Sequence, residues 1–174
     1  SELKLFISDY PKSALRDDAM YELANSYVKA NDTDKAMQMY DRLNSEYSRS
    51  AFTSKSLLRQ GLVYYNGNDN ERALSKFKKV ATDFPGSGEA VQAVSTVRLI
   101  YIDLGRVDEY ATWVRTLDYV EVTDVDLDNT TYLAAEKPYL DNDTDKAIRQ
   151  FNTYLNEFPK GIHSLKAHFY VAQL

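Results

Sequence analysis

Cysteine is absent from the 174 residues, so no disulfide can staple the fold and no thiolate can ligate a metal or attack a substrate. Histidine occurs twice, at His163 and His168. Five positions apart on a helix, the two point about 140° away from each other and share no metal-binding face. A zinc site would have to gather carboxylates from elsewhere, and both are read as packing or surface residues. No apolar run approaches the ~18 residues of a membrane span, so no membrane insertion by this segment is expected. Acids outnumber bases 26 to 21, for a net charge of −5. That balance disfavours a phosphate backbone as partner. The one dense basic patch, Lys76, Lys78 and Lys79, is read as a solvated helix face, and no nucleic-acid partner is expected. No Ser or Cys stands in a nameable nucleophile–base–orienter set, so neither an enzyme nor a cofactor is expected. No signal peptide is legible, and a trimmed chain would lack one in any case.

What the chain does have is an interval of 37 residues. Tyr10-Pro11, Phe84-Pro85 and Phe158-Pro159 stand 74 apart, and Tyr47-Ser48 lies midway between the first two. A fixed period of this size signals stacked repeats. The column Ser13, Ser50, Ser87, Asp124 and Gly161 predicts a helix start after each member. The column Asn31, Asn68, Gly105 and Asn142 predicts helix ends, because Asn and Gly tolerate left-handed backbone. Asp34, Glu71, Asp108 and Asp145 follow as first-turn acids of a next helix. Ala36, Ala73, Tyr110 and Ala147 form a mostly small column, and Tyr40, Phe77, Val114 and Phe151 an apolar one.

Each period reads as helix, turn, helix, turn. First helices are predicted near 14–30, 51–67, 88–104, 125–140 and 162–174. Second helices fall near 33–47, 70–84, 107–120 and 144–158, and residues 1–9 match the end of one. With 44% apolar residues the units can share a continuous core, which makes residues 1–174 one array. It comprises a partial unit at 1–12, units at 13–49, 50–86, 87–123 and 124–160, and a partial unit at 161–174. Both ends fall inside a unit, the expectation for part of a longer array whose uncapped terminal faces could self-associate.

The motifs Met20-Leu23-Ala24-Tyr27-Ala36-Tyr40, Leu57-Gly61-Tyr64-Ala73-Phe77-Pro85 and Ala135-Ala147-Phe151-Pro159 carry a resemblance. The chain resembles the tetratricopeptide (TPR) repeat family over its whole length. The resemblance implies an all-α fold, a right-handed α-solenoid of antiparallel helix pairs with about four full repeats. It implies a protein-interaction scaffold, not an enzyme, with a peptide or partner protein in a concave groove. The family's groove positions map onto Tyr21, Asn25 and Lys29, then Leu58, Leu62 and Asn66, then Ser95, Leu99 and Asp103, then Tyr132 and Glu136, and finally Phe169. Asn25 fits one place of the family's carboxylate clamp, but Tyr21 stands where its key Lys would be. The Phe/Tyr-Pro-x-Ser joint is similar to bacterial cell-envelope relatives, the outer-membrane assembly lipoprotein and the Tol-Pal accessory protein. That implies a periplasmic or envelope location, with the cytoplasm as the alternative. A Tyr-rich groove also suits a glycan- or small-ligand-binding module.

Three features depart from the period. Asp124, Asp126 and Asp128 with Asn129 suggest a calcium loop, but its sixth and twelfth places hold Asn129 and Ala135 where Gly and Glu are needed. The register reads Asp124 as an N-cap and the other two acids as first-turn residues. The third unit, 87–123, is degenerate: large Arg98 and Tyr110 replace small residues, Val122 stands in the Pro place, and Trp113 is the only tryptophan. A cation–π contact between Arg98 and Tyr110 is expected, with spread backbone. Pro138 replaces the Tyr of the column Tyr27, Tyr64 and Tyr101, which predicts a kink or early stop near 134–138.

Overall fold

A computed structural model describes residues 2–174. Ten helices and no strand occur among them: α1 (Glu2–Asp9), α2 (Arg16–Lys29), α3 (Thr33–Glu46), α4 (Ala51–Asn66), α5 (Asn70–Asp83), α6 (Gly88–Leu104), α7 (Val107–Val114), α8 (Asp124–Leu140), α9 (Thr144–Glu157) and α10 (Ser164–Gln173). The chain is an all-α helical repeat. It divides into two compact units, one running to Ala93 and the other from Val94 to Leu174.

The turn within each pair is built by one device. Asn31, Asn68, Gly105 and Asn142 take φ of 59°, 59°, 68° and 61°, the left-handed backbone that closes a helix. The N–H of the following residue then reaches back to the carbonyl of Tyr27, Tyr64, Tyr101 or Pro138 at 2.8–2.9 Å. Next comes a cap the period also carries: Asp32, Asp69 and Asp143 each accept the N–H of the third residue of the next helix. Asp34, Glu71, Asp108 and Asp145 occupy first turns as expected.

In the first unit α1 packs on α2, α2 on α3, α3 on α4 and α4 on α5, and the first helices α2 and α4 also touch. Its core contains Met20, Leu23, Ala24, Ala36, Tyr40 and Leu43, continued by Leu57, Ala73, Phe77 and Val80. Gly61 is a glycine because a Cβ there would stand 2.5 Å from the buried Phe77 ring. In the second unit α8 packs on α7 and α9, and α9 on α10, around Tyr132, Ala135, Ala147, Phe151, Tyr154 and Ala167. Tyr40, Phe77, Val114 and Phe151 have no exposed surface.

Several expected boundaries are corrected. Ser50 and Ser87 do cap their helices, accepting from the N–H groups of Phe52 and Ala90. The cap of α8, however, is Thr123 and not Asp124. Thr123 forms a capping box with Asp126, whose carboxyl is held below its usual range chiefly by the Thr123 hydroxyl. Ser13 and Gly161 open turns instead, their carbonyls accepting from Arg16 and Ser164, so α2 and α10 begin three residues later. Helix α7 ends at Val114, short of the expected 120. It lacks the Asp cap, Arg106 standing in that place without a side-chain cap bond. At its other end the Thr116 hydroxyl and N–H both take the Trp113 carbonyl, closing the helix with a turn.

Helix α8 does not stop at 134–138 but continues to Leu140 with a buried Pro138 inside it. Proline is accepted there because this position serves through its carbonyl, which takes the Asp143 N–H at 2.8 Å as Tyr does in the other pairs. The missing N–H deprives only the Ala134 carbonyl of its bond in the last turn. The acid Asp128 is likewise no first-turn residue. It is 5% exposed and accepts from the Tyr154 hydroxyl (2.6 Å) and the Ile162 N–H (2.8 Å).

Candidate functional site

The groove positions of the first unit converge. Helices α2 and α4 turn Tyr21, Asn25 and Lys29 toward Leu62 and Asn66, which follow the 3.6-residue repeat along one face of each helix. These five residues line a cleft of about 460 Å³, together with Glu22, Val28, Tyr40, Arg59 and Val63. A second cleft of about 370 Å³ shares Tyr21, Arg59 and Leu62 and adds Leu58, Lys55 and the first turn of α6. The two clefts meet at Tyr21, Arg59 and Leu62. Both walls mix apolar side chains with groups able to hydrogen-bond, the make-up of a ligand-binding cleft.

Polar groups here are anchored from behind. The Tyr40 hydroxyl donates to Asn25 Oδ1 at 2.6 Å, which fixes the amide and aims its NH2 group away from Tyr40. Burial pushes the Tyr40 hydroxyl pKa upward, so it stays a donor. The Tyr21 hydroxyl beside Arg59 raises the guanidinium pKa further. Tyr21 is 9% exposed and packs its ring on Phe52 and Tyr40 at 5.6 and 6.2 Å.

In the second unit two of the mapped positions, Tyr132 and Glu136, are packed against α10. Tyr132 is 3% exposed, its ring stacked on His163 at 4.1 Å and covered by Lys166 at 5.2 Å. Tyr132 and Lys166 both donate to Glu136 Oε1, at 2.7 and 2.9 Å. Burial acts to raise the Glu136 pKa, and those two hydrogen bonds outweigh it and hold it down. His163 also contacts Asn129 Oδ1 at 2.7 Å, which makes it a packing residue; His168 is exposed. Leu99 and Phe169 are exposed (54% and 58%), Ser95 is exposed, and Asp103 pairs with Lys137 at 3.3 Å.

The degenerate third unit brings its misfits near one another. Arg98 donates from Nε to Thr130 Oγ1 at 2.9 Å, and its charge acts on the Tyr110 hydroxyl and on Asp126. Tyr110 lies between Tyr101 and Trp113, ring centroids 6.5 and 6.4 Å away. Pro138 lies in the last turn of α8.

Two residues of consequence carry no groove signal in the sequence. Arg59 is one helical turn before the mapped Leu62 and joins the two clefts. Its only flag is its place one turn after Lys55 and one turn before Leu62 on α4. Arg16 is 7% exposed, donating to the Ile7 carbonyl (3.1 Å), the Tyr47 hydroxyl (3.1 Å) and Glu46. It ties α1, α2 and α3 together and serves stability. Among the described residues, no group of three or more His, Cys, Asp and Glu could hold a metal ion, and no helix is long and apolar enough to cross a membrane.

Comparisons with known proteins agree with this geometry. The tetratricopeptide repeat model matches residues 18–50 and 55–87, the two regular pairs that build the clefts. A solved tetratricopeptide repeat protein from Parabacteroides merdae superposes with a TM-score of 0.57 at 16% identity, over 98% of this chain and 64% of that one. The chain thus spans less than two thirds of that protein's length, and the likeness concerns the fold. No curated protein matches the sequence. Residues 18–50 and 55–87 match the tetratricopeptide repeat family in sequence, and the chain shares its fold with a member of that family.

Proposed function

We propose that this chain is a non-enzymatic protein-interaction scaffold that holds a peptide or partner protein in the clefts of its first unit. Tetratricopeptide repeats generally mediate protein–protein interaction, and two of them coincide with the cleft-forming pairs. The carrying observation is the convergence of Tyr21, Asn25, Lys29, Leu62 and Asn66 on one cleft from two helices. Apolar pockets beside amide groups suit an extended segment, whose side chains fill the pockets while its backbone bonds the amides. Asn25, fixed by Tyr40, is one such group.

A photo-crosslinking residue placed at Asn66 tests this in cell extract. Protein adducts are expected from Asn66, lost when Leu62→Asp is added, and absent when the crosslinker is moved to Asn152 on α9. Equal labelling from both positions contradicts the assignment. The glycan alternative needs open tyrosine faces for sugar stacking. The two tyrosines mapped to the groove, Tyr21 and Tyr132, are 9% and 3% exposed, which favours the protein partner.

The setting we propose is a bacterial envelope assembly, on the resemblance of the joints at Tyr10-Pro11 and Phe84-Pro85. Fractionation of cells expressing the tagged native protein checks it; recovery with cytoplasmic markers supports the alternative compartment.

A further inference from the structure

We infer that the first-unit clefts select an extended peptide segment carrying a carboxylate side chain, seated at Arg59 between apolar side chains. This rests on the peptide-binding reading above and adds what the peptide must contain.

Charge is the first ground. Three cations line the two clefts, Lys29, Lys55 and Arg59, against two carboxylates, Glu22 and Glu89. A chain of net charge −5 therefore turns a positive balance inward at this place. Nine of the 21 cations, Arg16, Arg42 and Arg72 among them, are engaged with carboxylates, and none of the nine lines these clefts. Lys29, Lys55 and Arg59 form no ion pair among the described residues, although Glu22 acts on the Arg59 charge and the Lys55 ammonium lies over the Phe52 ring at 5.0 Å.

Position is the second ground. Arg59 belongs to both clefts, so a carboxylate on it sits midway along a segment spanning them. The guanidinium is exposed, lines both clefts beside Tyr21, and offers a fork of donors that suits a planar, two-oxygen acceptor. Leu62 and Val63 lie one turn further along α4 on one side, and Leu58 lies beside Arg59 on the other. The occupant so described is Asp or Glu flanked by aliphatic residues.

Fluorescence anisotropy of the intact chain with positional nonapeptide pools tests it. Each pool fixes the central residue as Asp, Glu, Asn, Gln or Lys and randomises aliphatic residues on both sides. Hydrogen bonds to a charged group favour the acidic pools by about tenfold over the amide pools. Arg59→Gln, an exposed change that leaves the helices intact, is expected to abolish that preference while weak binding of the amide pools persists. Binding with no acid preference, or an acid preference that survives Arg59→Gln, overturns this inference and leaves the peptide groove standing. Binding of no pool overturns both readings. A preference for a (dT)12 oligonucleotide over every pool overturns both as well.

Discussion

The Tyr154 hydroxyl donates to Asp128 Oδ1 at 2.6 Å across the junction of α8, α9 and the start of α10. It also accepts the His163 N–H at 3.0 Å, while the second Asp128 oxygen takes the Ile162 N–H. One fully buried phenol and one carboxylate thus satisfy the backbone of the turn that opens the last helix. Burial and the Asp128 bond push the Tyr154 pKa up to about 12. Gly161 leaves room for this pair, since a Cβ there would stand 2.5 Å from the hydroxyl and 2.7 Å from the carboxylate.

Tyr154→Phe removes the donor and leaves a buried carboxylate oxygen and the His163 N–H unsatisfied. Urea unfolding is expected to show a loss of about 1.5–3 kcal/mol. Gly161→Ala is expected to destabilise as well, by pressing the pair apart. A neutral Gly161→Ala contradicts the packing.

Gly61 faces the Phe77 ring, which is fully buried and has nowhere to move. Gly61→Leu is expected to cost about 2–3 kcal/mol through overpacking. The same measurement on Gly88, whose Cβ would meet nothing within 4 Å, is expected to show little loss on substitution by Ala.

The carboxyl of Glu46 is held below its usual range, first by the Arg42 hydrogen bond and then by Arg16. A depressed acid stabilises the fold above its unfolded pKa, and the stability is lost as pH falls through the folded value. Glu46→Gln is therefore expected to cost about 1 kcal/mol at neutral pH, a modest figure because the carboxylate is partly exposed. Between about pH 5 and pH 3 the melting temperature of the native chain is expected to fall more steeply than that of the variant. Parallel pH profiles contradict the pairing.

The cap of α8 separates two adjacent residues. Thr123→Ala is expected to lose about 1 kcal/mol, whereas Asp124→Asn changes stability by less than about half of that. Chemical denaturation of the two variants checks the assignment, and equal losses contradict it.

Much of the fold was legible because the 37-residue period repeats backbone tasks. A left-handed residue is needed at each tight turn, and Asn31, Asn68, Gly105 and Asn142 supply it. Where a residue answers to a distant partner the period misleads. Asp128 looked like a first-turn acid because nothing local shows that Tyr154, 26 residues away, reaches it. Pro138 looked like a helix breaker because the N–H it lacks is visible in the sequence, whereas the carbonyl task it keeps is set by the turn that follows. The groove positions around Tyr21 and Leu62 were legible from helical spacing. That Lys166 from another helix covers Tyr132 was not.

The central claim is that the first-unit cleft is where a partner binds. Leu62→Asp places a charge in both clefts of that unit, and Leu140→Asp places one on an exposed apolar residue lining a smaller cleft of about 260 Å³ in the second unit. The most direct measurement is the anisotropy of the tightest peptide pool against each variant. The account predicts that Leu62→Asp removes binding and Leu140→Asp leaves it unchanged. Retained binding by Leu62→Asp, or its loss with Leu140→Asp alone, would contradict the account.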